Sequence, residues 1–177
     1  MTAMLEQLID KSLDIWVSNR VNCLPVIPPD DMAMNEKAED DDWYFWKPIF
    51  SKVTNQEIAE LEKYTQISFP EQYKRILKHK HFLELCIGEA RLTPHPSFGW
   101  QNCITDMIFS YPKELFSDLG YFPFATYSDW GLWCFKLDEK SAENEYPVYL
   151  WDHERSEQFE FVAQDLERAL IQEIKAF

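Results

Sequence analysis

Residues Tyr121 to Phe135 read YFPFATYSDWGLWCF, with seven aromatics, one Asp and one Gly among fifteen positions. Such a stretch is either the wall of a binding site or the middle of the protein. Aromatic side chains fill a pleated, half-buried surface well. The TYSD segment supplies turn residues between two apolar runs. The spacing therefore predicts two strands joined by a turn, with the rings forming sheet core. Pro123 cannot donate to a strand ladder, so its strand lies at an edge or its pairing is interrupted there.

Working outward, YPVYLW and QFEFVA read as two further strands after YFPFA and GLWCFKL. FLELCIGEARL alternates as a strand, with Leu83, Leu85 and Ile87 on one face. Thr93 to Trp100 reads as loop, and Tyr111 to Leu119 as a short helix closed by Gly120 at its C-cap position. DLERALIQEIKAF places Leu166, Leu170, Ile171, Ile174 and Phe177 on one face of a terminal helix. Towards the N-terminus, Leu5, Leu8, Ile9, Leu13, Trp16 and Val17 have helical spacing up to about Arg20. Three prolines in NCLPVIPPDD exclude a regular helix, so Val21 to Asp42 reads as an irregular connection. DWYFWKPIF then forms a loop or short strand. Thr54-x-x-Glu57 and Ser68-x-x-Glu71 are both capping-box patterns ahead of short helices. In the second helix Tyr73, Ile76 and Leu77 make the buried stripe, while Lys74, Arg75, Lys78 and Lys80 line the outside. Helices first, strands in the middle and a helix last give an α+β domain. Its antiparallel sheet is flanked by N-terminal helices and a C-terminal helix.

A chain of 177 residues with 46% apolar content fits one domain with a sizeable core. It has no run of eighteen apolar residues and no secretory pattern at its N-terminus, which points to the cytoplasm. Cys23, Cys86, Cys103 and Cys134 have no C-x-x-C spacing and read as buried thiols. The net charge of −14 opposes binding to nucleic acid or to an anionic membrane. That charge is segregated. Asp30 to Asp42 holds seven acids and one Lys, and Asp138 to Glu160 eight acids and two bases; Glu71 to Arg91 holds five bases and three acids. An acidic face complementary to a basic partner is the sharper reading, and solubility the plainer one.

Catalytic chemistry is hard to write on this chain. With four glycines, neither a dinucleotide fingerprint nor a phosphate loop can be formed, and no Ser sits in a nucleophile elbow. His79 and His81 flank a basic helix end, where cationic His suits the helix dipole better than a metal site. Asp152-His153-Glu154 is the most reactive-looking triplet. Neighbouring strand residues face opposite ways, so it reads as a polar strand end entering a turn. Cys134, between Trp133 and Phe135, should be buried and inert. No catalytic residue, cofactor or metal is assigned.

The order of signals nevertheless has a likeness. EIAELEKYTQ precedes FPEQYKRIL (Phe69 to Leu77). Then come GYFPFA (Gly120 to Ala125) with an acidic turn, an aromatic cysteine-bearing strand, and YPVYLWDHE (Tyr146 to Glu154) before the last helix. This resembles the SUKH superfamily of Smi/Knr-like domains, over Asn55 to Phe177. KHKHFLEL departs from the family, which usually has a Gly-rich turn at that point. On this reading residues 51–177 form the SUKH-like domain, and residues 1–50 add a helix and a Pro-rich acidic extension packed on it. The resemblance implies a non-catalytic fold that binds a protein. In bacterial members the partner is typically a toxin domain, often a nuclease, with a basic surface. In fungal cell-wall regulators the same domain serves as a scaffold for endogenous proteins, which is the alternative. For the binding surface, exposed aromatics beside charge are preferred. Glu39, Asp40, Asp41 and Asp42 with Trp43 and Trp46 form the first candidate, against a reading in which both Trp residues are core. Asp129 and Trp130 with Asp152, His153 and Glu154 form the second.

Overall fold

In the computed structural model, which describes residues 3–38, 42–155 and 158–176, the aromatic stretch forms the centre of the sheet. β8 (Tyr121–Tyr127) and β9 (Gly131–Lys136) are neighbours in a six-stranded antiparallel meander. The sheet is completed by β6 (Cys86–Ile87), β7 (Ala90–Leu92), β10 (Val148–Asp152) and β11 (Phe159–Ala163), in the order β11-β10-β9-β8-β7-β6. Phe122, Phe124, Trp133 and Phe135 have no exposed surface and pack with the helices. The opposite side of the same strands is also covered. Leu132 and Cys134 meet Phe116, Tyr111 and Leu115 from the connecting segment. This is why GLWCF is apolar at every position instead of alternating. Pro123 sits beyond the reach of β7, which pairs only with Ala125 to Tyr127, and the β8–β9 register shifts between Pro123 and Ala125. Of the two readings of Pro123, interrupted pairing is the one realised.

The helices are α1 (Ala3–Ser18), α2 (Asn55–Thr65), α3 (Glu71–His79), α4 (Trp100–Phe109) and α5 (Leu166–Ala176). The Thr54 capping box is formed in full, with Glu57 N donating to Thr54 Oγ1 at 3.2 Å and Thr54 N donating to Glu57 Oε2 at 2.8 Å. The Ser68 box is not formed. Pro70 is the N-cap of α3 and gives no side-chain bond. Residues far along the chain satisfy those amides instead. Glu71 N donates to Asn144 O, and Gln72 N donates to Glu145 Oε1 at 2.9 Å. The Gln72 side chain in turn accepts from Glu167 N at the start of α5 at 2.8 Å. Two helix starts are thereby tied to the loop before β10. In α5, Leu166, Ala169 and Leu170 are buried, whereas Ile174 is exposed, contrary to the apolar-face reading; Phe177 lies outside the described residues.

The basic residues of α3 do not simply line the outside. Arg75 makes a two-pronged pair with Glu6 of α1 (Nε to Oε1 3.0 Å, Nη2 to Oε2 2.5 Å). His79 and Lys80 both approach Asp10, at 2.8 and 3.7 Å. Lys74 lies 2.9 Å from Glu62 of α2. α1 thus brings its own acids to the basic stripe, and Leu5, Leu8, Ile9 and Leu13 join the main core.

The segment after α1 is more regular than its prolines suggest. β1 (Cys23–Leu24), β2 (Ala33–Lys37) and β3 (Tyr44–Trp46) form a small antiparallel sheet, and β4 (Ile49–Phe50) pairs with β5 (Lys80–His81). Asn22 explains part of this, since its buried side-chain amide donates to the carbonyl of Trp46. FLELCIGEARL is a hairpin and not one strand, because Gly88 at φ 59° turns the chain between β6 and β7. The helix α4 has no counterpart among the sequence-based expectations. Of Tyr111–Leu119 only Ser117–Leu119 is helical, as a single 3-10 turn, and Gly120 caps it in the left-handed region as expected.

At KHKH the chain meets its N-terminal part, His79 through Asp10 of α1 and His81 through Ile49 of β4. His79 faces α1, while His81 is buried and stacks on His95 at 4.6 Å between ring centres. Neither is a solvated helix end. His81 Nε2 accepts from Lys52 N at 3.2 Å, which leaves Nδ1–H to donate to His95 O. Burial pushes His95 down to about 3, so this pair is neutral.

Two consequences can be measured. Phe124→Ala should destabilise the fold by about 3–5 kcal/mol in chemical denaturation, the range for deleting a buried ring. Glu145 is half-buried with Oε2 unpartnered among the described residues. Burial, with Asp165 and Glu71 nearby, pushes it up to about 7 despite the Gln72 amide and Arg75. An acid whose folded pKa is raised is most stabilising when protonated, so stability falls as pH climbs from its ordinary 4.5 through about 7. Glu145→Gln should melt higher than the wild type at pH 8, with the gap closing towards pH 4.

Candidate functional site

The second sequence candidate assembles at one end of the large sheet. The β8–β9 turn, Ser128 to Trp130, and the end of β10 are brought together by the strand register, which sets Gly131 opposite Asp152. His153 N donates to Trp130 O at 3.1 Å, closing the contact. Two local constraints hold the turn. Ser128 adopts φ 49° and donates its N–H to Glu89 O at 2.8 Å in the neighbouring β6–β7 turn. At Gly131 a Cβ would lie 2.9 Å from Leu150 Cδ1 and 3.0 Å from Trp151 O, so only glycine fits without displacement.

Asp129, Trp130, Asp152, His153 and Glu154 line a shallow cleft of about 490 Å³. The triplet does leave the strand into a turn, since His153–Arg155 is a short 3-10 segment. Asp152 Oδ1 accepts from Glu154 N at 2.8 Å and Oδ2 lies 4.0 Å from Arg155 Nε. Trp130 packs edge-on to Tyr127 at 5.3 Å, which fixes its indole, and the Tyr127 hydroxyl donates to Glu173 Oε1. The residues thus offer three carboxylates, an exposed imidazole and a held indole. That set suits a Lys or Arg side chain with an aliphatic stem, through charge and cation–π contact. It supplies no nucleophile paired with a base. Cys134 has no exposed surface, and burial holds its thiol well above the ordinary range. Cys23, Cys86 and Cys103 are only half-buried, which corrects the reading of all four cysteines as buried. Among the described residues no three His, Cys, Asp or Glu side chains converge as a metal site.

The first sequence candidate separates. Trp46 has no exposed surface and belongs to the main core, whereas Trp43 is 42% exposed beside exposed Asp42. β3 carries Trp46 into the main core, whereas Trp43 precedes the strand. Glu39, Asp40 and Asp41 lie outside the described residues. Sequence reading passed over the exposed Ile27 and Phe98, placed in an irregular connection and a loop. The available signal was local: bulky apolar residues among the prolines of VIPP and PHPSF, with no strand or helix to bury them.

A sequence model described as the SMI1 / KNR4 family (SUKH-1) matches residues 52–172. The chain belongs to this family. Among curated proteins no match is found. The SUKH-1 match takes in the Thr54 box, α3, the aromatic hairpin and the whole polar cleft, and it leaves out α1 to β4. Members of the family bind protein partners, and immunity proteins are among them. Among the described residues no helix is long and apolar enough to cross a membrane.

His153 is exposed, and only its backbone N–H makes the contact to Trp130. His153→Ala should therefore leave the thermal midpoint within about 2 °C of the wild type, as is usual for a surface side chain without structural partners. A larger fall would mean that the imidazole holds the cleft together.

Proposed function

We propose that this SUKH-1 chain is a cytoplasmic immunity protein, a non-catalytic domain that binds and blocks a cognate toxin with a basic surface, a nuclease being the class best matched by charge. The observation that carries the reading is how the cations are used. Every base of the Glu71–Arg91 stretch has a partner within the chain. Lys74, Arg75 and Lys80 pair with Glu62, Glu6 and Asp10; Arg91 pairs with Glu84, and Lys78 donates to Asn55 Oδ1. Those five bases are therefore engaged within the chain, and the net charge of −14 is concentrated in acidic stretches such as the one that contributes Asp152 and Glu154 to the cleft. A surface of this kind steers a basic partner and speeds association more than it tightens the final complex. The cleft residues would then take the partner's Lys or Arg, with Trp130 as the apolar contact.

The test uses the purified toxin from the neighbouring gene. Stopped-flow mixing should show association slowing by about tenfold or more between low and high salt. The double variant Asp129→Lys/Glu154→Lys should slow it further at low salt without unfolding the protein. A toxin that stays unbound and fully active would end this reading. Stable capture of endogenous proteins, with no toxin among them, would favour the scaffold instead.

A further inference from the structure

Leu24 to Asp31 lies outside the family-matched residues, and it leaves apolar side chains in solvent. Ile27 is 78% exposed and Val26 54%. Facing them is the loop before α4, with Phe98 86% exposed. Two contacts tie these walls together. Ser97 Oγ donates to Asp31 Oδ1 at 2.5 Å, and Ser97 N donates to Met32 Sδ at 3.3 Å, with Met32 itself fully buried. Between the walls runs a groove of about 910 Å³, to which Leu83 and Arg91 also contribute. Five of its lining residues are prolines. Prolines have little conformational freedom to lose, so a side chain entering the groove is buried without first ordering the walls. Exposed apolar clusters rimmed by polar groups mark interaction sites.

Charge on the rim selects the occupant. Asp30 is exposed and has no ion-pair partner among the described residues, whereas Arg91 and Lys52 are engaged. Arg91 is 2.5 Å from Glu84 and Lys52 is 3.6 Å from Asp31. A second copy of the chain would carry the same net charge of −14, and the repulsion between copies opposes its approach. An anionic amphiphile would meet the same repulsion. Arg91 also lines the cavity beside Trp130, whereas the groove shares no lining residue with the acidic cleft.

We propose that the groove docks an extended segment of a partner protein, in which a large apolar side chain is flanked by Lys or Arg. The apolar group enters between the proline walls and the cation reaches Asp30. This requires a protein partner but does not require that partner to be a toxin.

Random peptides displayed on phage and selected against the full chain provide the test. Enriched peptides are synthesised, and their affinity is measured by fluorescence anisotropy on the wild type, Ile27→Glu and Phe98→Glu. Both side chains are exposed, so neither change removes core packing, and circular dichroism checks the fold. The expected result is a consensus pairing an aromatic or aliphatic anchor with adjacent Lys or Arg, with affinity falling about tenfold or more on either variant. No enrichment, an acidic or uncharged consensus, or affinity unchanged by both variants would overturn the proposal. Dimerisation in analytical ultracentrifugation that Phe98→Glu abolishes would also overturn it, by assigning the groove to a second copy. None of these results bears on toxin binding at the cleft, so the two readings fail separately.

Discussion

Tyr73 sits where the helices meet the sheet, and the arrangement around its ring sets most of the structure. Phe69, Phe122, Phe124 and Phe135 surround it edge-on, with ring centres 5.7, 5.8, 6.1 and 5.8 Å away. Edge-to-face contacts favour particular angles as well as contact, so they orient α3 on β8 and β9. The phenol is buried, and its ionisation is pushed above the ordinary range by that burial. Slipping the β8–β9 hairpin by one residue would turn Phe122 and Phe124 away from Tyr73. The β8–β9 register is therefore fixed by the core and sets Gly131 against Tyr127, while the adjoining β9–β10 register sets it against Asp152. The polar cleft inherits its geometry from rings buried elsewhere in the sheet.

Electrostatics follow a similar division of labour. The acids of α1 and α2 neutralise the bases of α3, where the side chains of Arg75 and Lys74 are only 24% and 18% exposed. Surface ion pairs contribute little to stability, and partly buried ones are retained more for placing elements than for energy. Each pair cancels one base against one acid, so the acidic surplus of the chain is unchanged by them. The N-terminal extension thus closes one face of the core with α1, satisfies α3 electrostatically and builds one wall of the apolar groove.

Much of this was legible in the chain. The strands β8 to β11, α1, the Thr54 box and the stripe Tyr73–Ile76–Leu77 follow from periodicity and capping, which are local properties. So does the Gly120 cap. The failures share a cause. Ser68-x-x-Glu71 has the pattern of a cap, but Asn144 and Glu145 supply the acceptors from 73 positions away. His79 and His81 look like a solvated helix end, yet one meets α1 and the other stacks on His95. Strands β1, β2, β4 and β5 are short, and each exists only because a distant strand pairs with it.

The sequence by itself determined the fold class, the family likeness and the acidic surplus, because composition, spacing and capping are written in neighbouring residues. It also supplied Asp129, Trp130, Asp152, His153 and Glu154 as a candidate set. Only the tertiary structure decided that these five share one cleft, that Trp46 is core while Trp43 is not, and that two proline-rich segments face each other across a groove. Each of those outcomes rests on pairing between residues far apart in the chain, and the free energy of such pairings depends on what the whole core buries.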